Sequence, residues 1–298
     1  MKIKLIGLGK MGLNIGLNMK DNHYEVIGFD ASEEQRAQAR KEGLKVVDSL
    51  ESLFSQNEKH IVYLLVPAGK ITETVINEVR KFLKKGDILI DAGNSNFNDS
   101  VRRYHLLKTY DINFVDVGTS GGTYGARNGA CLMVGGEESV VSQLTELFTK
   151  IAVEDGYLYV GKPGSGHYVK MVHNGIEYGM MQAIGEGFDL MHQSSYEIDY
   201  EALTKVWNHG SIIESSLIGY IHEAFKKDAQ LDELEGRIDD SGEGMWMIEE
   251  ALKKKVSLPV ITQSLFARYK SKDEVKFSEK VVAAMRKEFG GHATYKKK

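Results

Sequence analysis

The sequence predicts an α/β N-terminal domain built on a parallel sheet, followed by an all-α C-terminal domain. Three observations carry this. Over the first half, short apolar runs alternate with helix-like stretches, the pattern of a sheet with helices on both faces. After about Gly161 the strand-like runs stop and long segments of 3.6 period take over. Between the two regimes stands Gly161-Lys162-Pro163-Gly164-Ser165-Gly166, a cluster of chain-turning residues. The boundary therefore falls near residue 162, giving domains 1–162 and 163–298.

The strand candidates, in order, are Ile3–Ile6, Glu25–Phe29, Ile61–Val66, Ile88–Asp91, Asn113–Val117, Cys131–Val134 and Tyr157–Val160. Each is short and mostly apolar, as buried parallel strands are. Glu33–Glu42 and Ile71–Leu83 read as intervening helices. The later helices are expected at Gly166–Gln193, Tyr200–Trp207, Ile212–Phe225, Gly244–Lys254, Pro259–Ser271 and Glu274–Phe289.

Composition excludes several classes of function. Thirty-eight basic against 42 acidic residues give a net charge of −4, so neither nucleic acid nor a membrane is an expected partner. A single cysteine, Cys131, excludes an intrachain disulfide framework and Cys-rich metal sites. Nine histidines occur without an H-E-x-x-H or paired Cys/His spacing, so no metal site is expected. No apolar run reaches the ~18 residues of a membrane span. The start, Met1-Lys2-Ile3-Lys4-Leu5, does not resemble a signal peptide. A cytoplasmic protein is the expectation. Against these ordinary features, 31 glycines stand beside only 3 prolines, which implies tight turns or close backbone approach at many points.

The first such point is Gly7-Leu8-Gly9-Lys10-Met11-Gly12, between a strand and a helix. The spacing suits a dinucleotide pyrophosphate: a tight turn at Gly7, close approach at Gly9 and helix–strand packing at Gly12. The next strand ends at Asp30, eighteen residues past Gly12. An acid there accepts hydrogen bonds from the ribose hydroxyls of NAD and repels the 2′-phosphate of NADP. The first domain thus reads as Rossmann-type, with NAD favoured over NADP. Arg36, more than one turn into the following helix, reads as a solvated residue.

A second point is Gly118–Gly129, glycine-rich after a strand, which reads as an anion nest. Asn94, in Asp91–Ser95, ends a strand of the same sheet, so Asn94 and Ser120 are expected at its carboxyl edge. The third is Gly166–Tyr178. As a helix it sets Lys170, Asn174 and Glu177 on one face, flanked by His173 and Tyr178. Apolar residues fill the other faces, so the helix is expected to be mostly buried. A polar stripe there needs partners. A bare structural ion pair would satisfy Lys and Glu, but the whole set can grip a polyhydroxylated acid, and a shielded lysine amine suits a general base.

Taken together, Gly7–Gly12 with Met11, Asp91–Ser95, Ser120-Gly121-Gly122 with Gly125-Ala126-Arg127, and Gly166–Tyr178 resemble the β-hydroxyacid dehydrogenases. Lys170–Tyr178 is similar to the decarboxylating 6-phosphogluconate dehydrogenase family among them, in its short, NAD-using form. Relatives acting on 3-hydroxyisobutyrate or tartronate semialdehyde share the Lys and Asn but lack the Glu. Gly242–Trp246 and Arg286–His292 resemble two further elements of the family.

The resemblance implies Lys170 as general base and Glu177 as general acid. It implies Asn94, Ser120, Gly121, Gly122, His173 and Asn174 around the sugar acid, and Tyr178, Arg286 and His292 at its phosphate. Gly7, Leu8, Gly9, Lys10, Met11, Gly12, Asp30, Val66, Pro67 and Asn94 would hold the cofactor. Arg286 and His292 would reach in from a neighbouring subunit, hence a homodimer or tetramer. Glu214 and Ser241 stand where the long forms carry a phosphate-binding Arg and a Lys, and Pro67 replaces a Lys near the cofactor. The alternatives are a non-decarboxylating, NAD-dependent 3-hydroxyacid dehydrogenase and a non-catalytic NAD-sensing protein.

Overall fold

In the computed structural model, which describes residues 1–54, 58–290 and 293–295, the first apolar run forms strand β1 (Lys2–Ile6) and the glycine loop opens helix α1 (Lys10–Asp21). The alternation continues through β2 (Glu25–Phe29), α2 (Glu33–Lys41), β3 (Lys45–Val46), α3 (Leu50–Leu53), β4 (Ile61–Leu64), α4 (Lys70–Val79), β5 (Ile88–Asp91), α5 (Phe97–Lys108) and β6 (Asn113–Ser120). Then come α6 (Gly122–Asn128), β7 (Ala130–Gly136), α7 (Glu138–Val141), α8 (Thr145–Ile151) and β8 (Ala152–Gly161). β3, two residues long, carries too little apolar pattern to be legible in the sequence.

The eight strands make one sheet in the order β3-β2-β1-β4-β5-β6-β7-β8. All neighbours are parallel except β6 and β7, where Val115 faces Gly136 and Ser120 faces Cys131 in antiparallel register. That departs from the parallel sheet expected. Only nine residues separate Ser120 from Ala130, fewer than a parallel crossover needs. The chain turns at Gly121, whose φ of 110° is open to glycine, and comes back after the short α6. The glycine-rich stretch is therefore not one long loop: Gly118 to Ser120 belong to the strand.

Alternation along the strands sorts the core into two faces. Ile3, Leu5, Tyr63, Ile88, Ile90, Val115 and Val117 pack with Ile15 and Met19 of α1 and Leu147 and Phe148 of α8. Ile6, Val62, Leu64, Leu89 and Phe114 pack with Ile76 and Val79 of α4 and Leu107 of α5. Period-2 side-chain reversal thus gives each face its own helices.

Helix α9 (Ser165–His192) follows. Its start is held by buried Asp116 of β6, which accepts the N–H of Gly164 at 2.6 Å and of His167 at 2.9 Å. Burial pushes the Asp116 carboxyl up, opposed by His167 and these donors.

The chain divides into two compact units, Met1–Asn174 and Gly175–Lys298. The second contains the rest of α9 with α10 (Tyr200–Trp207), α11 (Ser216–Phe225), α12 (Glu243–Lys254), α13 (Pro259–Ser271) and α14 (Phe277–Gly290). Phe188, Tyr200, Trp207 and Phe225 form an aromatic cluster among α9, α10 and α11, with centroids 5.1–5.7 Å apart.

Two of the expected helices begin later than predicted. Ser215 caps α11 by accepting the Ile218 N–H, which leaves Ile212–Glu214 in the preceding turn. Asp273 accepts the N–H groups of Val275 and Lys276, and Lys276 turns at φ 50°, so α14 starts at Phe277. Nor is α9 mostly buried. Ile176, Met180 and Leu190 are 51%, 44% and 76% exposed, because the apolar pattern of that helix exceeds what its own chain covers.

Candidate active site

The carboxyl end of β1 leads into the glycine loop, and each glycine there has a separate physical reason. Gly7 has φ 96°, and a Cβ on it would sit 2.3 Å from the Leu65 carbonyl. A Cβ on Gly12 would sit 1.9 Å from the Gly7 carbonyl. Both are required by the fold itself. Gly9 is different: its φ is −63°, and a Cβ there would meet nothing within 4 Å. Neither conformation nor packing explains it, and it leaves open space over a helix N-terminus. The loop fits a dinucleotide pyrophosphate on this ground. Lys10 is exposed and Met11 half-buried. Leu8 turns its side chain into the core, so only its backbone belongs to the loop.

The Leu8 N–H donates to Asp30 Oδ2 at 2.7 Å, and the Ser32 N–H to Asp30 Oδ1 at 2.8 Å. Each oxygen keeps a lone pair for a further donor. Arg36 is not the solvated residue expected. Its side chain is only 14% exposed, and Nη1 donates to the carbonyls of Asp30 at 2.8 Å and Ala31 at 3.1 Å. Val66 and Pro67 follow β4, with Val66 packed on the Gly7 turn and the Pro67 carbonyl accepting the Thr72 hydroxyl.

One strand further, Arg103 organises the Asp91–Ser95 turn. Fully buried, it donates from Nη1 to Asp91 Oδ2 at 2.7 Å and Ser95 Oγ at 2.9 Å, and from Nε to Glu73 at 2.7 Å. Asp91 also accepts Ser95 Oγ and the Gly93 N–H. The turn is thereby fixed with Asn94 exposed on it. Sequence reading missed Arg103. Its signal was the spacing Ser100–Arg103–Leu107, which sets an arginine on the buried face of α5.

At the carboxyl end of β6, Ser120 meets the start of α9. Ser120 Oγ lies 3.1 Å from His173 Nε2, His173 Nδ1 lies 3.0 Å from Asn174 Oδ1, and Lys170 Nζ lies 3.5 Å from His173 Nδ1. With the ring proton assigned to Nδ1, it points at the Asn174 carbonyl oxygen, and Nε2 accepts the Ser120 hydroxyl. Gly118 permits this approach, since a Cβ on it would lie 2.5 Å from the Lys170 Cβ. Gly121 and Gly122 form the adjoining turn. The structure thus brings together Ser120, Lys170, His173 and Asn174. Glu177, half-buried, follows Lys170 by two turns on the same helix face.

Within the second unit, Tyr178 is buried and accepts the Ser241 N–H at 3.1 Å, with Ser241 Oγ 3.4 Å away. The Arg268 guanidinium lies over its ring at 3.7 Å and donates to the Asp239 carbonyl. Arg268 is a cation the sequence reading missed. The signal was its place with Ser264 and Leu265 on the buried face of α13. Arg286 lies exposed on α14, outside this group. His292 lies outside the described residues. No group of three or more His, Cys, Asp or Glu placed to hold a metal ion occurs among the described residues.

Comparison with known proteins gives the same order of parts. Residues 2–161 match the family described as the NAD binding domain of 6-phosphogluconate dehydrogenase, and residues 166–297 its C-terminal domain. The Bacillus subtilis protein YqeC, which carries the name of a 6-phosphogluconate dehydrogenase, is 48% identical across the whole of both chains. A decarboxylating, NAD(+)-dependent 6-phosphogluconate dehydrogenase of Haloferax volcanii is 38% identical over all of this chain and 99% of that one. The solved 6-phosphogluconate dehydrogenase of Plasmodium falciparum, studied with NADP+ and with 6-phosphogluconate, superposes with a TM-score of 0.81 at 32% identity. It covers all of this chain, which spans 66% of the longer one. Two matched domains in sequence order, with whole-length relatives, show that the chain belongs to the 6-phosphogluconate dehydrogenase family.

Proposed function

We propose that the chain catalyses the oxidative decarboxylation of 6-phosphogluconate to ribulose 5-phosphate and CO₂, with NAD as the acceptor. The observation that carries this is the clustering of Ser120, Lys170, His173 and Asn174, with Glu177 on the same face of α9. The Haloferax relative bears the same activity in its name. The nicotinamide of the bound dinucleotide would supply the hydride acceptor, with the Gly7–Gly12 loop holding the pyrophosphate and Asp30 the ribose.

In this reading Lys170, in its neutral form, takes the proton of the C3 hydroxyl as C3 is oxidised. The product is a 3-keto acid, with its carboxylate β to the new carbonyl. Protonated Lys170 then donates to the carbonyl oxygen while the C1–C2 bond breaks and CO₂ leaves, stabilising the enolate that forms. Glu177 protonates the former C2 of the enediol, which becomes C1 of ribulose 5-phosphate. Ser120, His173 and Asn174 hold the hydroxyls. Arg268, beside Tyr178 and Ser241, supplies a cation for the phosphate in place of the Arg and Lys that Glu214 and Ser241 replace.

NADH absorbance with NAD and 6-phosphogluconate, together with CO₂ release, tests the reading. NADH formation without CO₂ would favour a non-decarboxylating 3-hydroxyacid dehydrogenase. Glu177→Gln should lower turnover about 10²–10⁴-fold while substrate affinity stays close to wild type. Full turnover in that variant would remove Glu177 from the role of acid. The exposed apolar stripe of α9 supports a homodimer or tetramer, and a monomer in light scattering would refute that.

A further inference from the structure

The acid that reads the ribose does not stand alone. Arg36 and Arg40, one turn apart on α2, both reach Asp48, which follows β3. Arg40 Nη2 lies 2.5 Å from Asp48 Oδ1 and Arg36 Nε 3.5 Å from the same oxygen. Arg40 Nη2 also approaches the Val46 carbonyl, at 3.5 Å. Arg36 spends Nη1 on the Asp30 and Ala31 carbonyls, so its guanidinium lies at the carboxyl end of β2, beside the acid. A guanidinium in that place would be a natural partner for a ribose 2′-phosphate, since it offers a charged, forked set of donors. Here a second carboxylate engages it, together with its neighbour on the helix.

We propose that Asp48 is a positioning residue for cofactor choice: by pairing with Arg36 and Arg40 it offsets part of their charge and holds both side chains, and so disfavours a 2′-phosphate. The inference rests on the NAD reading above and deepens it. Asp30 rejects the 2′-phosphate directly, by like charge. Asp48 acts through the arginines, by lowering the attraction that would offset this rejection. Its side chain is 78% exposed, and Arg36, the less exposed partner, keeps its hydrogen bonds to the Asp30 and Ala31 carbonyls when Asp48 is lost, so the sheet has little reason to move.

The test is ligand binding, read by calorimetry in the full-length protein. The ligands are NADH, NADPH, 5′-AMP and 2′,5′-ADP, and the variants are Asp48→Asn, Asp48→Glu and Asp48→Asn with Arg36→Met and Arg40→Met. Asp48→Asn should tighten NADPH and 2′,5′-ADP on the order of fivefold, the size of one exposed ion pair. NADH and 5′-AMP should stay within about twofold, and the gain should fade with salt. Asp48→Glu should keep the wild-type ratio, and the triple variant should lose the gain. Equal changes for all four ligands would mark a merely structural role and overturn the proposal, as would an unchanged ratio in a protein that prefers NADH. A wild-type protein that binds NADPH as tightly as NADH would overturn the NAD reading and this inference together.

Discussion

Gly9 and Gly12 separate the needs of ligand from the needs of fold. Both belong to one motif, yet a Cβ on Gly12 collides with the Gly7 carbonyl and a Cβ on Gly9 meets open space. Gly9→Ala should therefore leave thermal stability within about 0.5 kcal/mol of wild type and weaken NADH binding at least tenfold in a fluorescence titration. Gly12→Ala should lose both, with about 2 kcal/mol or more of stability gone. Equal stability losses in the two variants would contradict the division. Arg268 permits a second prediction at this scale. Arg268→Met keeps the stem that packs beside Tyr178 but removes the charge. If Arg268 meets the phosphate, KM for 6-phosphogluconate should rise at least tenfold while NADH affinity is unchanged. An unchanged KM would assign the arginine to packing on Tyr178 alone.

At the scale of elements, the meeting of β6 and α9 decides how Ser120 stands to Lys170 and His173. Asp116 caps the helix from within the strand, and Gly118 lets the backbone of β6 come against Lys170. A methyl group at residue 118 would lie 2.5 Å from the Lys170 Cβ and 2.8 Å from the Gly166 carbonyl. Gly118→Ala should cost about 1–3 kcal/mol and shift the amine relative to Ser120. We expect kcat to fall at least tenfold while NADH still binds at its own strand ends. A variant with wild-type kcat would show that the helix start can yield without moving Lys170. The antiparallel β6–β7 pair belongs to the same argument, because the tight turn at Gly121 places Ser120 at the end of its strand rather than in a loose loop.

At the scale of the molecule, stability should carry a signature of Lys4. That lysine is buried in β1 and donates to Glu58 at 2.7 Å. The hydrogen bond from Lys4 holds the Glu58 carboxyl below its ordinary value. A depressed acid contributes stability above its unfolded value, about 4.3, and loses it as pH falls through the folded one. Wild type should melt above Glu58→Gln by a steady margin between about pH 5 and 7, and the margin should close as pH falls below about 4. A margin independent of pH would refute the ion pair as its source.

Much of this protein was legible in its residues, for stated reasons. Strand–helix alternation, the Gly7–Gly12 spacing and the Lys170–Asn174–Glu177 periodicity are local patterns, and local geometry of 2.0 and 3.6 residues translates them directly. Ser120 beside His173, Arg103 beneath Asp91, Arg268 over Tyr178 and Asp48 upon Arg36 are separated by 12 to 90 residues. No period links them, so the sequence alone left Arg36 solvated and Arg268 unnoticed. The sequence by itself determined the order of elements, the glycine loop after the first strand and the polar face of one helix. Tertiary structure decided which charges meet and which glycines the packing itself requires. It also decided that β7 runs backwards, since chain length between strands and pairing across the sheet settle what local propensity cannot.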